Sequence, residues 1–335
     1  MSIARKILAR WEVFLLIVLI VTFVVGVEVS KYFLTTSNIT IALQGIAPMA
    51  LLALPMTLII ITGEIDISVG SMVGLCASAM AVGLEAGLPI EAAIPVAIVV
   101  GVVAGAFNGL LIAYAVLPSL VVTIGTLALY RGIAQILLQE RGVSRLPEWY
   151  QSIGFGTVPG TPIPWSSLIF IVCFIGFAIY LHRTYWGRAL YAIGNNREAA
   201  RFSGIDVKRT IFGLFVASGA MSAIAAIVLT AYLASARSDT GTGLELPVIT
   251  AVVLGGVSIF GGSGTMSGVL MAVLVLAFVQ NSLGLGGVTP EQQQIVTGAV
   301  LVVTLILFSG SGFIERARAS LRARNAASAA KNTSQ

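Results

Sequence analysis

From Leu246 to Pro290 the chain carries no charged side chain. A helix rises about 1.5 Å per residue and the hydrocarbon core is about 30 Å thick, so roughly 20 apolar residues cross it once. The run is too long for one pass, and Gly261-Gly262-Ser263-Gly264 offers the place to turn. The rest of the chain is built the same way. Of 335 residues, 57% are hydrophobic and 10% are charged, whereas a soluble domain is about a quarter charged. The fold class is therefore all-α and polytopic in the lipid bilayer, with no soluble block long enough for a second domain. Cys76 and Cys173 lie in apolar stretches and His182 closes a span. Neither a disulfide framework nor a metal site is expected, and no cofactor.

Ten candidate spans run roughly Trp11–Val29, Gln44–Thr62, Ile67–Leu84, Ala92–Tyr114, Pro118–Gln139, Ser166–Leu181, Thr210–Leu233, Leu246–Phe260, Gly264–Leu283 and Gln292–Phe308. The first is read as a retained span, because no small-x-small cleavage pattern follows it and Glu28 and Lys31 do. Basic residues orient the set. With the N-terminus inside, the inner segments hold Arg5, Lys6 and Arg10, then Arg183, Arg188, Arg197, Arg201, Lys208 and Arg209, then Arg316, Arg318, Arg322, Arg324 and Lys331. The outer segments hold only Lys31, Arg141, Arg145 and Arg237. This distribution explains the net charge of +5 without invoking nucleic acid. It gives a cytoplasmic segment over residues 1–10, a transmembrane region over 11–314 with a cytoplasmic loop at 183–209, and a basic cytoplasmic tail over 315–335, expected to be disordered. The outer loop 140–165 carries Pro147, Pro159, Pro162 and Pro164 with Trp149 and Trp165, a composition that suits a rigid interfacial cap or a seat for a delivering partner.

An internal echo runs through the chain. Leu54-Pro55, Gly63, Ile67, Gly70 and Ser71 recur at the same spacing as Leu246-Pro247, Gly255, Ile259, Gly262 and Ser263. Transporters place their pathway where such repeats meet, on helices broken by Gly and Pro. The span count puts the copies six passes apart, which implies a parallel repeat; an inverted one would require a re-entrant segment.

The first copy includes Gly63-Glu64-Ile65-Asp66-Ile67-Ser68-Val69-Gly70. Two carboxylates in such a place are expensive against lipid. Glu64, Asp66 and Ser68 suit a helix N-terminus, or a pathway or gate together with Gly70 and Gly262. Arg131 either bonds a carbonyl near its span end or faces the pathway. Asn108, Gln280 and Asn281 either contact a polar solute or tie helices together.

Between two spans lies Gly194-Asn195-Asn196-Arg197-Glu198-Ala199-Ala200-Arg201-Phe202-Ser203-Gly204, a short polar helix pattern. Asn195 reads as its N-cap with Glu198 as reciprocal partner, and Gly204 as its stop. Ala199, Phe202 and Ser203 share one face. The stretch is either a solvated loop helix or a docking element. Its Glu-Ala-Ala-x-x-x-Gly order resembles the cytoplasmic loop of ABC-importer permeases that inserts into the ATPase, and the charge count places it on the cytoplasmic side.

Further segments carry a wider resemblance. Residues 63–70 are similar to the Gly-Gly-Ile-Asp-Leu-Ser-Val-Gly stretch of ribose-type permeases, with Glu64 in place of the second glycine. Phe107-Asn108-Gly109, Pro118 to Thr126, Tyr130-Arg131-Gly132, Ala192 to Asn196, Leu254-Gly255-Gly256, Gly261 to Thr265 and Gln280 to Leu283 match in order over residues 40–310. The chain resembles permease subunits of ribose/rhamnose-type ABC importers. The resemblance implies a small sugar or sugar-like solute of the ribose, rhamnose or autoinducer type, a second permease subunit, two ATPase subunits and a solute-binding protein at the inner membrane. ATP hydrolysis would then sit on a separate chain, with Asn195, Asn196, Glu198, Ala199, Ala200, Phe202 and Gly204 as the coupling helix. The alternative is an ion-coupled secondary transporter with Glu64 and Asp66 as its relay. No His-x-x-x-His spacing or other catalytic constellation supports a membrane enzyme.

Overall fold

A computed structural model describes residues 11–139, 141–144, 146–304 and 306. The N-terminal segment, the tail and the last residues of the tenth candidate span lie outside the described residues. Helix α1 spans Trp11–Val29, α2 Thr36–Ile61, α3 Val69–Glu85, α4 Ile90–Ala113 and α5 Ser119–Leu138. After strand β1 (Gly142–Val143) come α6 (Glu148–Phe155), α7 (Trp165–Arg183), α8 (Tyr185–Asn195), α9 (Arg197–Phe202) and α10 (Val207–Tyr232). Strand β2 (Ala236–Arg237), α11 (Glu245–Leu254) and α12 (Met266–Leu285) follow, and residues 290–304 form a further helix, α13.

Helix α2 is the hub. Its most apolar window is 94% buried, against 17% for α1 and 11% for α7, whose flanks expose their aliphatic side chains. It starts at Thr36 because Thr35 caps it through the Asn38 amide, eight residues before hydropathy alone signals a span. Pro48 and Pro55 sit inside it. Each removes a backbone donor, which a helix packed on all sides tolerates because its neighbours hold its course. The closest helix pair is α4 with α10. Gly101, Gly105 and Gly109 repeat every four residues on α4; a β-carbon on Gly101 or Gly105 would collide with the α10 backbone at Gly219 or Phe215, and one on Gly109 would press on Phe212. Without a hydrophobic drive between helices in lipid, this close approach supplies the dispersion contacts that hold the pair.

Among the described residues seven helices are long and apolar enough to cross a membrane. The third candidate is a 17-residue helix, and the eighth is corrected most. Helix α11 has 10 residues, about 15 Å long and half a crossing. Gly241 and Gly243 both hold positive φ, +79° and +83°, just ahead of it, so the chain arrives in non-helical form and winds only from Glu245. Residues 255–265 are then a loop of turns, not span.

The two ends of the bundle follow from contacts. At one end Gln44 donates to Phe155 O (2.8 Å), Thr40 donates to Pro162 O (3.0 Å), and β1 pairs with β2. The proline-rich loop is thus folded into α6 and a cap on the bundle, and Tyr150 of α6 is wholly buried. At the other end Gly262 N donates to Ile61 O (2.8 Å), and α8 and α9 lie beside them. Helix α2 and segment 236–254 both run from the first end toward the second. The two copies of the echo are therefore parallel in direction, and their turns meet.

Candidate functional site

Three pieces make up the site: a short exposed helix, the paired turns beneath it, and a buried polar cluster behind them. Helix α9 begins one residue later than the letters suggest. Asn196, not Asn195, is extended and accepts from Ala199 N at 2.9 Å. Asn195 completes α8, and its amide donates to Tyr191 O (2.8 Å). With the cap at Asn196, Glu198 falls a residue short of the position from which a capping-box carboxylate reaches back. It still favours the helix dipole from the first turn. Gly204 follows the helix at φ +84°, the left-handed stop. Ala200 is buried while Ala199, Glu198 and Ser203 are exposed and Phe202 is 89% exposed. The helix thus presents an apolar ring to whatever lies beyond this end.

Beneath α9 the chain has no slack. A β-carbon on Gly194 would strike Ile61 O and Gly262 N, one atom from each turn of the echo. Tyr191 OH donates to Gly264 O (2.8 Å), and Gly262, at φ +76°, lies against the Asn195 side chain. Arg197 pairs with Glu64, whose side chain is 9% exposed.

The first turn leads into the buried cluster. Asp66 Oδ1 accepts from Ser68 N (3.0 Å) and Ser68 Oγ (2.6 Å), and Oδ2 accepts from Ser218 Oγ of α10 (2.8 Å). Asn108 of α4 donates to Ser68 Oγ (2.8 Å). Tyr130 OH of α5 lies 2.9 Å from Asn108 Oδ1 and 2.8 Å from Ala104 O. One acidic loop residue therefore joins α3, α4, α5 and α10, and its burial is supportable because both carboxylate oxygens are engaged.

Of the predicted residues, Glu64, Asp66, Ser68 and Asn108 come together around this turn. Gly70 stands further along, its hydrogens against Glu245 and Gly241 O, because α3 and α11 start beside each other. Asn281 goes elsewhere: it exchanges amide bonds with Asn38 (2.9 and 3.0 Å), tying α12 to α2. Arg131 donates to Ser238 O (2.7 Å), Thr240 O (3.3 Å) and Gly70 O (3.2 Å). It therefore pins the extended approach to α11 against α3. Sequence reasoning missed Ser218, Tyr130, Glu245 and Arg197 as members of this assembly. Glu245 ends an otherwise uncharged Gly-Thr-Gly-Leu stretch, a signal that was available; Ser218 in a small-residue helix gave none.

With this geometry in hand, known proteins are informative. The family model "Branched-chain amino acid transport system / permease component" matches residues 38–305. The chain belongs to this family. The autoinducer 2 import system permease protein LsrD of Escherichia coli K12 is 35% identical over 302 residues, covering 88% of this chain and 91% of the relative. The Shigella flexneri LsrD is similar to the same extent. A solved inward-facing structure of a metal-chelate type ABC transporter overlaps 90% of this chain and 98% of its own, at a TM-score of 0.47 and 14% identity. The chain is a multi-pass permease subunit of an ABC importer, and the family replaces the ion-coupled alternative.

Proposed function

We propose that this permease imports a small, neutral, sugar-like solute, related to the autoinducer 2 that the LsrD relatives import, across the inner membrane. Two ATPase subunits bind at the α8–α9 end, which faces the cytoplasm with both termini. A second permease subunit completes the pathway, and a solute-binding protein rests on the α6 and β1–β2 cap outside.

A neutral solute fits the chemistry better than an amino acid zwitterion. A zwitterion entering the bundle needs free charges of both signs. Both Asp66 oxygens are taken by Ser68 and Ser218. Arg131 is spent on three carbonyls and lies within electrostatic reach of Glu245. Besides the Glu245 carboxylate, which lies within electrostatic reach of Arg131, the groups left over are hydroxyls, amides and carbonyls, which suit hydroxylated solutes.

The observation that carries the coupling reading is Phe202, 89% exposed on a capped helix that directly follows α8, whose Gly194 rests on both turns of the echo. A large aromatic at the tip of a polar helix buries about 2 kcal/mol of apolar surface when it fills a partner's groove. Movement of α9 is passed through the adjoining end of α8 to Ile61 and Gly262, because at Gly194 no side chain cushions the contact.

The test uses the permease reconstituted with its ATPase and binding protein, with autoinducer 2 and ribose as probes. Phe202→Ala and Glu198→Lys should each lower ATPase retention and probe uptake about tenfold, the consequence of losing 1 to 2 kcal/mol of docking. Folded permease yield should stay near normal, since both side chains point outward. Full uptake and solute-stimulated ATP hydrolysis in both variants would take α9 out of the coupling role.

A further inference from the structure

Helix α9 has six residues and is fastened to the rest of the bundle in few ways. Ala200 is its buried side chain. Among the described residues, Arg197 to Glu64 is the one side-chain hydrogen bond that leaves α9 for another element. Arg197 is half exposed, while Glu64 is nearly enclosed. Glu64 is not an isolated anchor. Its neighbour Ile65 is held by Ser119 Oγ at the start of α5 (3.2 Å), and two residues on stands Asp66, which gathers α3, α4, α5 and α10.

We infer that the Arg197–Glu64 ion pair is a latch that transmits movement of the ATPase-docking helix to the Asp66 cluster, so that both are positioning residues for the transport cycle. The inference rests on the reading of α9 as the docking helix. The physical reason is stiffness. A loop of turns such as 62–68 absorbs displacement in its backbone torsions unless a side chain grips it from the moving part. An enclosed carboxylate bonded to a guanidinium gives that grip: the pair resists separation because parting it leaves a charge short of solvent. The contact of Gly194 with Ile61 and Gly262 pushes when α9 approaches the bundle. Only a bonded pair also pulls when α9 withdraws. Without the latch, ATP-driven movement outward would leave the 62–68 segment and its cluster behind.

The experiment uses the full complex in lipid nanodiscs and proteoliposomes. Glu64→Gln and Arg197→Gln are compared with the exchanged pair, Glu64→Arg with Arg197→Glu. The readouts are ATPase co-purification, basal ATP hydrolysis, and probe molecules moved per ATP with autoinducer 2 and ribose. The single variants should keep the ATPase and basal hydrolysis but lose about tenfold in molecules moved per ATP, the scale of a coupled pair. The exchanged pair should recover at least half of that loss. The charge-keeping variants Glu64→Asp and Arg197→Lys should retain more transport per ATP than the glutamine variants, which covers the case in which a charge variant fails to fold. Wild-type transport per ATP in both glutamine variants, or an exchanged pair and charge-keeping variants no better than they are, would overturn the latch. Loss of ATPase binding in the Phe202 and Glu198 variants, together with wild-type transport per ATP in the Glu64 and Arg197 variants, would leave the docking reading standing while the latch fell. Unaffected binding and uptake in those variants would remove the docking reading itself.

Discussion

At Gly70 any β-carbon would lie 2.6 Å from the carbonyl oxygen of Gly241 and against the Glu245 carboxylate. The obstacle is backbone, so alanine meets it as fully as valine. From the sequence, alanine is expected to be the milder change, and the packing at this position removes the distinction. Gly262 is a different case. Its neighbour is the Asn195 side chain, which can move, but φ of +76° costs any residue with a β-carbon about 1 to 2 kcal/mol. Gly70→Ala and Gly70→Val should both lose most folded permease in detergent. Gly262→Ala should fold with a modestly lower Tm and lose uptake, because the turn it strains is the one α8 rests on. Size-exclusion yield, thermal unfolding and uptake per folded molecule measure this. A well-folded, fully active Gly70→Val permease would contradict the contact.

At the scale of elements, α9 shows how a motif and its capping geometry part company. Asn195 and Asn196 are adjacent and chemically identical, so the letters allow either as cap. Tertiary contact decides: Gly194 and Tyr191 seat α8 on the turns as far as Asn195, so the backbone breaks at Asn196, with φ −159° and ψ 107°. Asn196→Ala should therefore weaken α9 by about 1 kcal/mol, and Asn195→Ala by much less. Hydrogen exchange of the Ala199 amide should rise clearly in the first variant and hardly in the second; the reverse order would place the cap at Asn195. Similarly, α11 stops at Leu254, short of its apolar run to Phe260, because Gly255 closes it against the Val269 backbone and Gly256 turns away at φ +86°. The Gly101, Gly105 and Gly109 spacing on α4 is legible in the letters, yet its partner on α10 is not.

At the scale of the whole molecule, the direction of each segment follows from which end its contacts share. Met266 N donates to His182 (3.3 Å) at the foot of α7, while Asn281 of the same helix meets Asn38 at the head of α2. Trp11 donates to Leu254 O (2.6 Å), which sets the start of α1 at the α8–α9 end. Among the described residues seven helices are long and apolar enough to cross a membrane, and the shorter α3 and the segment 236–254 run between the same two ends. A reporter inserted after Arg188 should read cytoplasmic, and one near Pro159 should read external, as the distribution of basic residues requires. A reporter within residues 258–263 should also read cytoplasmic, because that turn pairs with Ile61. An external signal there would mean that α11 fails to reach the α8–α9 end.

The sequence by itself determined that the chain is a helical membrane protein, which of its ends carry basic charge, that a short polar helix interrupts the spans near residue 200, and that two segments echo each other. These properties are local or periodic: hydropathy, charge and turn residues act over a few neighbours, and each leaves its mark at its own position. Tertiary structure decided that Glu64 grips Arg197, that Ser218 bonds Asp66 and Asn108 bonds Ser68, that Asn281 ties α12 to α2, and that α11 has only 10 residues. Those outcomes depend on which groups a folded bundle brings within 3 Å across separations of 40 to 243 residues. A buried carboxylate or amide looks the same in the letters wherever it goes. Its role is fixed by the partners that satisfy it, and these exist only once the helices have packed.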